Sequence, residues 1–161
     1  MQNLWSGGFS WDETLPKELT TEWKRLFRML DDLRMFETHR SFKPSVCIGL
    51  PQLHGFSDGG ESGYGSCVFL RWCLPSGTIE CRLVAAKSFV APLKRKTIPR
   101  LELMGCVTLA RLVDSIVTAI RTPLERIVLW SDSSTALGWI RCPPRSFKPF
   151  VGVRVAEIQE S

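Results

Sequence analysis

The sequence contains no C-x-x-C pair, although it holds six cysteines: Cys47, Cys67, Cys73, Cys81, Cys106 and Cys142. They lie apart, inside apolar runs. That spacing argues against a zinc cluster or a disulfide framework. It favours buried free thiols in a reducing compartment. No apolar run is long enough to span a bilayer. The first residues lack the basic-then-apolar order of a secretory signal. The expectation is a soluble intracellular protein, cytoplasmic or nuclear, with no membrane partner. Only two histidines are present. His39 falls in an N-terminal arm and His54 within a short strand, so neither suits a general base. Internal repeats and low-complexity segments are absent.

What is present suits one ordinary domain with a short appendage: 161 residues, 44% hydrophobic and 23% charged. The net charge of +5 suits an anionic partner, as support only. Residues 1–45 read as a helical arm. Pro16 suits a first helical turn. Leu19, Trp23, Leu26, Phe27, Leu30 and Leu33 then form one apolar stripe. Pro44 and Pro51 mark a connection, and residues 46–161 form the domain proper.

Within that domain a strand runs from near Gln52 to Asp58. A second spans Tyr64 to Leu74, and a third follows the Pro75-Ser76-Gly77 turn over Ile79–Leu83. These make an antiparallel meander. A basic loop, Ala91–Pro99, leads to a strongly apolar helix from Arg100 that ends at Thr122-Pro123. Arg126–Asp132 reads as an internal strand covered on both faces. Ser133–Arg141 is a short helix, stopped by Cys142-Pro143-Pro144, and Phe150–Ile158 starts another. The predicted fold class is α/β: a mixed sheet of three antiparallel strands plus one parallel strand, with helices on its faces.

Two segments repeat one pattern: Phe56-Ser57-Asp58-Gly59 and Trp130-Ser131-Asp132-Ser133. Each ends a strand. The helix between them acts as a crossover, so the two strands are expected to be parallel neighbours, about 4.8 Å apart. Their aspartates then stand side by side. Carboxylates that close repel, so either one holds a proton or a cation sits between them. Oxygen-only ligands favour a hard cation such as magnesium. Ligands of open α/β sheets bind beyond the carboxyl ends of strands where the strand order reverses. Glu102, in the first turn of the long helix, is the third acid. Each has an ordinary alternative: Glu102 as complement to the helix dipole, Asp132 as a helix N-cap, Asp58 as a turn residue.

On these residues the sequence resembles a ribonuclease H domain of a retroelement polyprotein, closest to the Pao/BEL class of LTR retrotransposons. The matching stretches are Leu53–Gly65 (LHGFSDGGESGYG), Leu83–Glu102 (LVAAKSFVAPLKRKTIPRLE), Leu129–Arg145 (LWSDSSTALGWIRCPPR) and Phe150–Gln159 (FVGVRVAEIQ). Trp11-Asp12-Glu13 and Leu15-Pro16 resemble the segment joining reverse transcriptase to ribonuclease H. The resemblance implies that Asp58, Glu102 and Asp132 are catalytic and bind two magnesium (or manganese) ions. It implies an RNA–DNA hybrid as substrate and the reverse transcriptase portion of the same polyprotein as partner. The family pattern continues with another strand and a helix bearing a fourth acid, so a C-terminally incomplete domain is expected. Gly59-Gly60 stands where the family pattern leads one to expect aspartate-alanine.

Nucleic-acid contacts are expected from Lys87, Lys94, Lys96 and Arg100 around the basic loop, with Arg95 beside them. Arg141 is expected to join them after the short helix, with Arg145 and Lys148 nearby. Such groups hold phosphates without reading sequence. Ser133 and the backbone at Gly59 and Gly60 are candidates for minor-groove contact, where 2′-hydroxyls mark RNA. Trp139 is expected in the core. A non-catalytic nucleic-acid-binding or interaction module on the same fold is the main alternative. An integrase-like transferase ranks below both, because its acids usually run Asp, Asp, Glu, and here the order is Asp, Glu, Asp.

Overall fold

The computed structural model describes Leu4 and residues 6–161. They divide into two compact units, residues 1–40 and residues 41–161. In the first, helix α1 spans Lys17–Asp32 and passes into a single 3-10 turn, Leu33–Met35. Pro16 holds the N-cap position just ahead of the first turn. Trp23 and Phe27, one turn apart, bring their rings to 6.0 Å. No residue of α1 is buried.

The second unit is built on a four-stranded sheet ordered β3-β2-β1-β4. Strand β1 is Ile48–Gly60, β2 is Gly63–Cys73, β3 is Ile79–Val90 and β4 is Arg126–Ser131. The first three form the antiparallel meander, and β4 pairs in parallel with β1. Helix α2 (Ile98–Ala119) connects β3 to β4. Helices α3 (Ser134–Ile140) and α4 (Pro149–Glu160) follow.

Side-chain alternation assigns each strand a buried face. Leu53, Val68, Leu70 and Trp72 turn to α2 and form one core with Leu109, Val113 and Ile116. Apolar burial of this kind contributes about 25 cal/mol per Å². A second cluster joins α2 to α4 through Leu103, Val151 and Val155, with Trp139, Phe147 and Ile158 packed around it. Arg111 on α2 also pairs with Glu157 on α4. That hydrogen bond lowers the Glu157 pKa and raises that of Arg111.

Four sequence expectations need correction. Strand β1 starts at Ile48, not Gln52, and takes in buried Pro51. A register shift between Ile48 and Gln52 accommodates the proline. Strand β3 continues past Leu83 to Val90. Strand β4 is not internal. It is the edge of the sheet, and Ile127, Leu129 and Trp130 are about half exposed. All six cysteines are free, but only Cys106 is buried, and Cys81 and Cys142 are exposed.

Candidate active site

The register of β1 and β4 sets the site. Ser57 pairs with Ser131, so Asp58 and Asp132 each lie one residue beyond the last pair. Both aspartates are exposed and line one groove of about 420 Å³ with Phe56, Ser57, Trp130 and Ser131. A second concavity of about 580 Å³ starts from the same Phe56–Gly60 segment and crosses β2 to Lys87, Ser88 and Phe89 on β3. Asp58 belongs to both.

Close backbone approach brings Glu102 to this strand end. A Cβ at Gly59 would stand 2.5 Å from the Glu102 nitrogen and 2.7 Å from the Leu101 oxygen. A Cβ at Gly105 would stand 2.8 Å from the Asp58 carbonyl oxygen. Glycine at both positions lets the first turns of α2 lie against β1. Nearby, Ser57 Oγ lies 3.5 Å from Cys106 Sγ.

Two of the ordinary alternatives for the acids do not match the geometry. Asp132 is not the cap of α3; Ser133 is, and its hydroxyl accepts from the Ala136 N–H at 3.1 Å. Asp58 is not a turn residue, since β1 continues through Gly60. Its Oδ1 accepts from the Gly59 N–H at 2.6 Å. The Glu102 carboxylate accepts a short hydrogen bond from the Ser133 hydroxyl. Ser133 thus joins the helix glutamate to the residue after Asp132.

These residues can be weighed against the divalent ions implied by the resemblance. Three carboxylates at the ends of adjacent elements fit a hard cation by donor type. As their side chains stand, no three His, Cys, Asp or Glu groups among the described residues gather closely enough to hold one. The acidic side chains would have to draw together to hold one, and the Ser133 bond occupies only the Oε2 oxygen of Glu102.

The remaining expected contacts are scattered. Gly60 is exposed. Gly59 is buried, with the side a Cβ would occupy against α2, and it lines the concavity beside Asp58. Ser133 is also buried, and its hydroxyl is committed to Ala136 and Glu102. Lys87 sits over the Phe89 ring at 5.4 Å. Lys94 and Arg141 are exposed. Lys96 and Arg100 converge on the Phe150 ring, at 5.3 and 5.0 Å from its centroid.

Sequence reasoning missed Arg154, which covers the same ring at 3.8 Å. Its signal was a lone cation among Phe150, Val151, Val153 and Val155. It also missed the aromatic stack on the sheet face opposite α2. Trp130 lies near-parallel to both His54 and Phe56, with centroids 6.2 and 6.4 Å apart. Its indole N–H donates to His54 Nδ1 at 3.1 Å. Burial lowers the His54 pKa, and the charges of Arg71 and Arg126 lower it further.

An antiparallel meander, a crossover helix and a parallel fourth strand beside β1 define a ribonuclease H-like fold. The chain belongs to the Pao retrotransposon-like RNaseH-like domain family, whose sequence model matches residues 1–133. No curated protein matches significantly. Among solved structures, the chain is similar to the N-terminal RNase H domain of Rv2228c from Mycobacterium tuberculosis. That match has 15% identity and TM-score 0.47, covering 68% of this chain and 73% of that one. RNase H1 of Halobacterium salinarum matches with 14% identity and TM-score 0.39, covering 68% and 75%. The NurA nuclease of Sulfolobus solfataricus matches with 10% identity and TM-score 0.38, covering 91% and 55%. No helix among the described residues is long and apolar enough to cross a membrane.

Proposed function

We propose that this chain is a metal-dependent endonuclease domain that cuts the RNA strand of RNA–DNA hybrids, within a retroelement polyprotein or a domesticated derivative. One observation carries the reading: Asp58 and Asp132 each stand one residue past the last pair of two parallel strands and line one groove. In this reading Asp58, Asp132 and Glu102 hold magnesium or manganese. Two such ions, when bound, activate water and stabilise the leaving oxygen of an in-line displacement.

The chain's own residues supply binding and orientation. Asp58 and Asp132 present carboxylates from a rigid sheet. Ser133 orients Glu102 through one carboxylate oxygen, and Glu102 would join the two aspartates in holding the ions. Lys87, Lys94, Lys96, Arg100 and Arg141 hold phosphates, and the exposed Gly60 backbone lets a strand approach closely. Residues 1–45 serve as the arm toward a reverse transcriptase portion, and residues 46–161 as the nuclease. The site of action is then intracellular, where such hybrids arise.

A second reading, a non-catalytic nucleic-acid-binding module, is favoured by the spread of the acidic side chains, no three of which gather among the described residues as they stand. A labelled RNA–DNA hybrid, incubated with the chain and magnesium or manganese, separates the two. Cleavage that Asp58→Asn reduces to background supports the nuclease. Binding without cleavage by the parent supports the module.

A further inference from the structure

Three cationic side chains surround one aromatic ring at the junction of α2 and α4. Lys96 comes from the loop before α2, Arg100 from the first turn of α2, and Arg154 from the middle of α4. Their charged groups lie 5.3, 5.0 and 3.8 Å from the Phe150 centroid. All four residues are half-buried.

The arrangement is costly unless an anion joins it. With each group this close to one centroid, any two lie within about 10 Å, comparable with the Debye length at physiological salt. None of the three makes an ion pair among the described residues. Glu157 is within electrostatic reach of Arg154, but its carboxylate is taken by Arg111. The ring face offsets part of the repulsion. Arg154 is also fixed by donating to the Phe150 carbonyl oxygen at 2.8 Å. The cluster is therefore assembled and held, with no ion pair of its own among the described residues.

We infer that Lys96, Arg100 and Arg154 around Phe150 form a phosphodiester anchor that grips a nucleic-acid backbone at the junction of α2 and α4. Arg100 stands two residues before Glu102 in the first turn of α2, on a different side of the helix, so a backbone held here meets the start of α2 on its α4 side. Three cations drawn from separate elements suit successive phosphates of one strand. The anchor rests on the nucleic-acid half of the proposed function and not on cleavage. Phe150 and Arg154 also lie outside the family match, which ends at residue 133.

The test is the salt dependence of binding. Fluorescence anisotropy would follow the full chain on a labelled RNA–DNA hybrid and on duplex DNA, with EDTA present to block cleavage. Removing one phosphate contact lowers the slope of log K against log salt by about 0.9. Arg154→Gln should lower it by about 1, and the triple change of Lys96, Arg100 and Arg154 to Gln by about 2–3. Neutralising Lys17, Arg28 and Arg121 instead changes net charge equally and should leave most of the slope. Arg154→Lys should retain binding.

Should the triple variant melt early, Lys96→Gln in the loop carries the measurement. Inorganic pyrophosphate should then raise the melting temperature of the parent more than that of Arg154→Gln. Equal slopes for the triple and control variants overturn the anchor. So does a parent that binds neither probe, or one that prefers an acidic peptide such as polyglutamate. A parent that binds with the full slope but never cuts in magnesium sinks the nuclease reading alone. A parent that cuts, while the triple variant keeps its slope, sinks the anchor alone.

Discussion

Gly59→Ala tests the contact on which the site depends. Its Cβ would meet the Glu102 nitrogen and the Leu101 carbonyl carbon, both at 2.5 Å. Ordinary van der Waals contact begins at 3.4 Å, so β1 or α2 must yield by about 0.9 Å. The obstructing atoms are backbone, so no side chain can rotate away. Overpacking of this kind costs about 1–3 kcal/mol, and the upper end applies here. Loss of glycine freedom in the unfolded chain returns about 0.4–1 kcal/mol. The net expected loss, read by urea denaturation, is about 2 kcal/mol. Gly60→Ala is the control: its Cβ meets nothing within 4 Å, and the change should stay within about 0.5 kcal/mol. Gly105→Ala closes the same gap from the helix side, against the Asp58 oxygen at 2.8 Å. One shift relieves both clashes, so the double variant should cost less than the sum by about 1 kcal/mol. In the proposed nuclease the same shift moves Glu102, and cleavage should fall about 100-fold. A Gly59→Ala protein as stable as Gly60→Ala, or strictly additive glycine changes, would refute the reasoning.

Ser133→Ala removes both the cap of α3 and the donor to Glu102. The expected loss is about 1–2 kcal/mol by urea denaturation, mostly restored by Thr; a loss under about 0.5 kcal/mol argues against the capping role. His54 gives a pH dependence. Its folded pKa lies below 6.5, so the unfolded chain binds more protons as pH falls through that region. Stability should be flat with respect to His54 above about pH 7 and decline below about 6.5 until the folded pKa is passed. His54→Gln should flatten that part of the melting-temperature profile, and an unchanged slope would assign the decline to other groups.

The pairing of the two acidic segments could be read from local sequence, because strand positions follow from local pattern. The paired Phe-Ser-Asp and Trp-Ser-Asp segments led to parallel neighbours, and the register puts Ser57 opposite Ser131. What escaped depends on contacts distant in sequence. Gly59 and Gly105 look like ordinary small residues until β1 and α2 are laid together. The cation trio needs α4 packed on α2 through Leu103, Val151 and Val155 before Arg154 can meet Lys96. Residues 84–90 escaped for another reason: most of that part of β3 is exposed, so it shows little burial contrast. Strand β4 misled because Arg126–Ser131 is apolar enough for a buried strand. Trp130 is satisfied at the edge by stacking on His54 and Phe56.

Core and site are not independent features of β1. Leu53, Gly55, Ser57 and Gly59 all turn toward α2, where Leu109, Cys106 and the Leu101–Glu102 backbone fill the space against them. Alternation then forces His54, Phe56 and Asp58 to the opposite face, beside Trp130 and the groove. A slip of one residue would drive Phe56 and Asp58 into α2 and empty the face where Asp132 waits. Gly59 makes that slip sterically expensive, because a Cβ in its place meets the α2 backbone at 2.5 Å. The packing that stabilises the sheet is thereby the device that aims its carboxylate. Substitutions that loosen the α2 contact should therefore disturb the acidic groove before they unfold the domain.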